Sequence, residues 1–138
     1  MDDTLRDKPG YLLRRAASAA TAELAGKLDH LGLRQVDASV LILIDSNPLS
    51  TASAIGRTLD IQRANMVPLL KRLEDAGWVE RSPIDGKSQG LNLTPAGSAK
   101  LAEAMAVIES FEASLLARIP AEHRDHLLPA MHALWNGG

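Results

Sequence analysis

The stretch Ser50–Leu93, STASAIGRTLDIQRANMVPLLKRLEDAGWVERSPIDGKSQGLNL, decides the fold. Two apolar series at helical spacing lie within it: Ile55 and Leu59, then Met66, Leu69, Leu70 and Leu73, separated by Asp60-Ile61-Gln62. Helices this short bury their apolar faces only against each other and a third helix. Ser50 or Thr51 offers a side-chain oxygen to cap the first of them. Gly77 follows the last periodic residue, where a left-handed conformation commonly ends a helix. Trp78 and Val79 then begin an extended segment that returns as Gly90-Leu91-Asn92-Leu93, with the turn formers of Pro83–Gly90 between the two arms. Thr94 caps a new helix, with Pro95 at its first position. Two short helices across a tight break, followed by a hairpin, spell a winged helix-turn-helix.

Working outward, Val36–Asp45 supplies the third helix of the trio through Val40, Leu41, Leu43 and Ile44. Upstream, Pro9 and Gly10 precede Tyr11, Leu12, Ala16, Ala19, Ala20, Leu24 and Leu28, the pattern of a long helix that ends near His30-Leu31-Gly32. Downstream, Ala96–Leu116 carries Leu101, Met105, Ile108, Phe111, Leu115 and Leu116 at helical spacing, and Ile119-Pro120 breaks it. A last helix over Glu122–Trp135 shows Leu127, Leu128, Met131, Leu134 and Trp135. A winged module has no surface on which to hide three further apolar stripes. Two copies packing their terminal helices together would cover them, and the rival arrangement is a monomer whose ends fold back on its own core. The expectation is a mainly α protein with a small β-hairpin, one winged-helix domain over 1–138. Its DNA-binding lobe spans 34–94, and its dimerisation helices span 9–32 and 95–136.

Composition narrows the function. At 138 residues one domain is expected, and one Phe, one Tyr and two Trp imply closely packed slender helices rather than an aromatic core. No stretch is long and apolar enough for a membrane span, and Met1-Asp2-Asp3 does not open a secretory signal, so a cytoplasmic protein without a membrane partner is expected. The absence of Cys excludes disulfides, thiolate metal sites and a cysteine oxidant sensor. His30, His123, His126 and His132 form no metal-binding pattern, His123 and His126 read as solvent-facing, and no metal or cofactor is expected. With no nucleophile motif and no phosphate-cradling glycine loop, the chain does not read as an enzyme. The net charge is -2, yet Arg57, Arg63, Lys71, Arg72, Arg81, Lys87 and Lys100 outnumber Asp60, Glu74, Asp75, Glu80 and Asp85 between residues 57 and 100. That local excess suits a basic footprint on one face, which a two-fold dimer doubles.

The runs Ile55-Gly56 with Leu59 and Ile61, RLEDAGWVER at 72–81 behind Leu69, and LNLTPAG at 91–97 resemble the multiple antibiotic resistance regulator (MarR) family of bacterial repressors. The resemblance extends through the terminal helices over nearly the whole chain. It implies a homodimer that sets one recognition helix per subunit in successive major grooves of a palindromic double-stranded operator, with the wings on the minor groove and backbone. It also implies release from DNA by a small aromatic or phenolic carboxylate lodged between the DNA-binding lobe and the helical platform. A winged-helix adaptor that binds protein and has lost DNA contact is the alternative.

On the second motif helix the apolar series faces the protein and leaves Arg63, Asn65, Pro68, Lys71 and Arg72 toward solvent or DNA. Asn65 offers a pair of hydrogen bonds to an adenine edge, its rival role being to cap the helix, and Arg63 reaches a guanine or a phosphate. Lys71 and Arg72 suit the phosphate backbone. In the resembled family the Arg72 position is commonly basic and structural, so an internal ion pair competes with the DNA role. Pro68 departs from the family's polar or basic residue; it should bend or tighten the start of the helix, and it offers an apolar surface to a thymine methyl. In the wing, Asp85 and Lys87 match the family's acidic and second basic positions, while Gly86 replaces a basic residue. For the effector, Tyr11, Arg14, Arg15 and His30 are the candidates: Tyr and Arg stack on and hydrogen-bond an aromatic carboxylate. They lie on or beside the first helix, expected close to the helix Val36–Asp45.

Overall fold

The structure, a computed structural model, describes residues 1–135, so the expected end of the platform at residue 136 lies outside the described residues. The elements in chain order are α1 (Pro9–Asp29), α2 (Gln35–Ser46), α3 (Ala52–Thr58), α4 (Arg63–Asp75), β1 (Val79–Pro83), β2 (Gln89–Leu93), α5 (Pro95–Ala117), a 3-10 turn at Ala121–His123 and α6 (Arg124–Leu134). This is the winged helix-turn-helix read from Ser50–Leu93, with additional helices on both sides.

One core joins the elements. Val40, Leu41 and Ile44 of α2, Ile55 of α3, and Met66, Leu69, Leu70 and Leu73 of α4 meet Val79 and Leu91 of the hairpin and Leu101, Ala104 and Phe111 of α5. From α1 only Leu24 and Leu28, near its C-terminal end, are buried. Each fully buried Leu or Ile contributes about 1.5–3 kcal/mol relative to exposure, so this cluster holds the three central helices rigidly against the hairpin.

The break between α3 and α4 closes on Gly56. Ile61 N–H donates to the Gly56 carbonyl at 2.8 Å, and Asp60 takes a left-handed φ of 54°. A Cβ on Gly56 would stand 3.1 Å from both the Ile61 carbonyl oxygen and Met66 Cγ. Of the two candidate caps for α3, Thr51 performs the role, its Oγ1 accepting from Ala54 N–H at 3.2 Å. Ser50 instead pairs with Leu91 of β2: Leu91 N–H donates to the Ser50 carbonyl at 2.9 Å, and Leu49 N–H to the Leu91 carbonyl at 3.0 Å. The hairpin is thus bonded to the segment that leads into α3.

β1 and β2 pair antiparallel from Val79 opposite Leu93 to Pro83 opposite Gln89. Thr94 fastens the base of the wing to α5: its Oγ1 accepts from Gly97 N–H at 2.9 Å and donates to the Gly77 carbonyl. Helix α4 runs unbroken from Arg63 to Asp75 through Pro68, which lacks the N–H that would bond the Ala64 carbonyl. At the other end of the molecule Glu23 of α1 pairs with Arg118 just past α5 at 2.6 Å. The Arg118 guanidinium, chiefly through this hydrogen bond, holds the Glu23 carboxyl below its ordinary range, while Glu23 raises Arg118. Helix α6 has no buried residue, and no helix among the described residues is long and apolar enough to cross a membrane.

Candidate nucleic-acid interface

Helix α4 presents its N-terminal turns at the surface, supported from behind by α2 and α3 and flanked by the wing. Between α4, the start of α3 and β1 lies a groove of about 380 Å³ lined by Ser53, Arg57, Arg63, Met66, Val67 and Arg81, among others. It continues toward the wing tip along Arg63, Arg81, Pro83, Asp85 and Lys87. Among the described residues Arg57, Arg63 and Lys87 form no ion pair, so three cations border the groove unneutralised. Arg81 is held by Glu74 of α4, which fixes the wing against the recognition helix.

The wing tip is ordered by Asp85, whose Oδ1 accepts from the backbone N–H groups of Lys87 and Ser88, both at 2.8 Å. Those two bonds, the Lys87 one first, hold the Asp85 carboxyl below its ordinary range. They also leave the Lys87 side chain free to extend from the tip.

The six residues expected at DNA fall into three groups. Arg63, Asn65 and Pro68 are exposed on the first two turns of α4. The rival role for Asn65 does not occur: the N-cap of α4 is Gln62, with no side-chain cap bond, and Asn65 gives only its backbone N–H to the Gln62 carbonyl at 2.9 Å. Lys71 is exposed but engaged with Asp75 at 3.1 Å. Arg72 is drawn inward, onto Asp37 of α2. That carboxylate, 2% exposed, also accepts from the Arg34 backbone N–H at 2.8 Å and so closes the start of α2. Arg72 therefore takes the internal ion pair rather than the backbone contact, because the buried Asp37 has no other cation to neutralise it. Arg57 and Arg81, counted by sequence in the basic footprint but not as individual contacts because they lie outside the recognition helix, border the groove; so does Val67, which sequence missed because it differs from a core valine only in its phase around α4.

The four effector candidates do not come together within one chain. Tyr11, Arg14 and Arg15 cluster at the N-terminal end of α1: Tyr11 OH donates to Asp3 Oδ2 and accepts from Arg15, both at 3.3 Å, and both guanidinium carbons stand 5.7 Å from its ring centre. His30 follows the far end of the same helix, about 28 Å away at 1.5 Å per residue. The rigid helix between them rules out a shared small ligand in one protomer. His30 borders a shallow, open depression of about 440 Å³ between α1 and α5, lined by Lys27, Leu31, Ala106, Val107 and Ser110. Helix α1 does meet α2, as expected, but no α2 residue lines the depression beside His30.

A helix-turn-helix backed by a wing, with a cation-bordered groove between them, defines a winged-helix DNA-binding transcriptional regulator. The chain belongs to the MarR family, whose sequence profile matches residues 31–88. The HTH-type transcriptional repressor Rv2887 of Mycobacterium tuberculosis is 32% identical over 114 residues, covering 81% of this chain and 82% of its own length. Among solved structures, the transcriptional repressor CouR bound to a 23-mer DNA duplex is similar with a TM-score of 0.87 and 32% identity, over 96% of this chain and 95% of CouR. The complex of Rv2887 with salicylic acid gives a TM-score of 0.74 and 29% identity, over 94% of this chain and 98% of that one.

Proposed function

We propose that this protein is a repressor that binds an imperfect palindrome as a homodimer, one α4 in each of two successive major grooves. The observation that carries the reading is the groove itself. Exposed Arg63 and Asn65 lie on its recognition helix, and an unpaired Lys87 at its wing tip reaches toward the adjacent backbone. The likeness to CouR on DNA supports it. A two-fold dimer places its reading heads about one helical turn apart, so protection should be symmetric about a dyad.

The effector in this reading is a small aromatic carboxylate held in the depression between α1 and α5. Lys27 offers the counter-charge, His30 and Ser110 hydrogen bonds, and Leu31, Ala106 and Val107 apolar walls. The similarity to a repressor solved with salicylic acid supports that class of ligand. Such a ligand acts only if it prefers the free dimer to the DNA-bound one, and a tenfold preference corresponds to about 1.4 kcal/mol of coupling.

Footprinting on selected operator DNA, with and without salicylate, tests both halves. Lys87→Ala should weaken binding to all related operators and lower the salt slope by about one per half-site, whereas Asn65→Ala should flatten preference at particular base positions. Absence of any protected palindrome would leave the fold standing as a protein-binding adaptor. Symmetric protection that no aromatic acid relieves would remove the effector and keep the repressor.

A further inference from the structure

The outward side of α4 is poor in hydrogen-bonding groups over the turns that meet DNA. Spacings of three and four residues put Ala64, Val67, Pro68 and Lys71 in one contiguous patch, turned away from the buried Met66, Leu69, Leu70 and Leu73. All four are exposed, Val67 at 63%. The Lys71 ammonium is turned along the helix onto Asp75. What remains is a small apolar ridge with Arg63 on one flank and Asn65 on the other.

Folding does not explain the ridge. Valine loses rotamer freedom in a helix, proline is its least favoured residue, and neither fills the core here. The surroundings indicate the occupant. Val67 lines the groove bordered by Arg57 and Arg63, a rim of unneutralised cations that suits the phosphates of duplex DNA. Within the major groove the one apolar group on a base edge is the thymine 5-methyl.

We infer that Val67 and Pro68 determine operator specificity by packing on thymine methyls, so that each half-site carries oriented A·T pairs beneath the second turn of α4. The inference rests on the DNA-binding reading above and adds to it the chemistry by which α4 reads the sequence.

The test replaces thymine by deoxyuridine, which removes the methyl and leaves the base pairing intact. An operator is first selected from a random duplex library with the wild-type protein, and each thymine of a half-site is then exchanged in turn. Wild-type affinity should fall roughly fourfold at one or two positions, the worth of one buried methyl-sized group. Val67→Ala or Pro68→Ala should abolish that difference, binding both operators as weakly as wild type binds the uridine form, while Asn65→Ala keeps the full difference. Both alanine variants gain helix propensity, and circular dichroism confirms that they are folded. Equal wild-type affinity for the thymine and uridine forms at every position overturns the inference, as does a difference that survives unchanged in both alanine variants. Failure of the library to yield any preferred sequence is a distinct result, which removes the DNA-binding reading and this one with it.

Discussion

Asp37 is the one buried charged side chain among the described residues, and Arg72 is its partner across α2 and α4. Burying a carboxylate is costly unless a cation and hydrogen bonds satisfy it; here the guanidinium supplies the first and the Arg34 N–H the second. The two partners differ in exposure, 38% for Arg72 against 2% for Asp37. Truncating them should therefore not be symmetric. Arg72→Ala strands a buried anion and should cost about 3 kcal/mol, whereas Asp37→Ala leaves an arginine that reaches water and should cost about 2 kcal/mol, half of it the lost cap. Urea unfolding of both single variants and the double variant checks this, because a shared ion pair makes the double loss clearly smaller than the sum. Additive losses, or a lowered salt slope for operator binding with unchanged stability, would return Arg72 to the DNA surface.

At the scale of elements, the wing tip is closed by the Ile84 N–H bond to the Ser88 carbonyl at 2.9 Å and by one titrating side chain, Asp85. Asp85 has its carboxyl held below its ordinary value of 3.8 by the N–H groups of Lys87 and Ser88. A depressed carboxyl contributes order that is fully present above the ordinary value and is lost as pH falls through the lowered one. The tip should thus be indifferent to pH near neutrality and open only in acid below that ordinary value. Amide resonances of Lys87 and Ser88 report it: their shifts should move together at a midpoint under 3.8, and Asp85→Asn should remove the midpoint. Movement of these amides near neutral pH would mean that another group orders the tip. The wing also marks the limit of what the sequence tells. Turn residues and Gly77 reveal the hairpin, since both act within a few positions of themselves. The bonds from Leu49 and Ser50 to Leu91 carry no such signature, although Gly90 hints at them, because a Cβ there would stand 2.7 Å from Leu49 Cα. The same contrast runs through the interface. Arg63 and Asn65 are legible from helical phase alone, whereas the inward turn of Arg72 depends on Asp37, 35 residues away.

At the scale of the whole molecule, the terminal helices are unfinished in a single chain. Helix α6 has 11 residues and buries none of them, and isolated helices shorter than about 12–15 residues are marginal in water. Its Leu128 and Leu134, and Trp135 just past it, are about two-thirds exposed, and Leu12, Leu13 and Leu116 of α1 and α5 add to the uncovered apolar surface. A monomer folded back on its own core would be expected to hide these side chains; their exposure favours the two-copy arrangement of the proposed function. In the proposed homodimer a second copy covering α6 would supply the missing burial and, by its two-fold symmetry, set the separation of the two α4 helices. Oligomeric state, helix content and DNA affinity would then be linked through the same side chains. Replacing Leu128 and Leu134 together by Glu should convert a dimer at micromolar concentration into a species of one 14.8 kDa chain. That species should lose the helical signal of α6 while the winged core keeps its cooperative unfolding. Operator affinity should fall by about two orders of magnitude or more, since two linked half-site contacts become independent ones. Sedimentation equilibrium, circular dichroism and operator titration on the same samples check the linkage. A double variant that stays dimeric, or a monomer that holds the palindrome as tightly as the parent, would show that the two-fold interface lies elsewhere or that one reading head suffices.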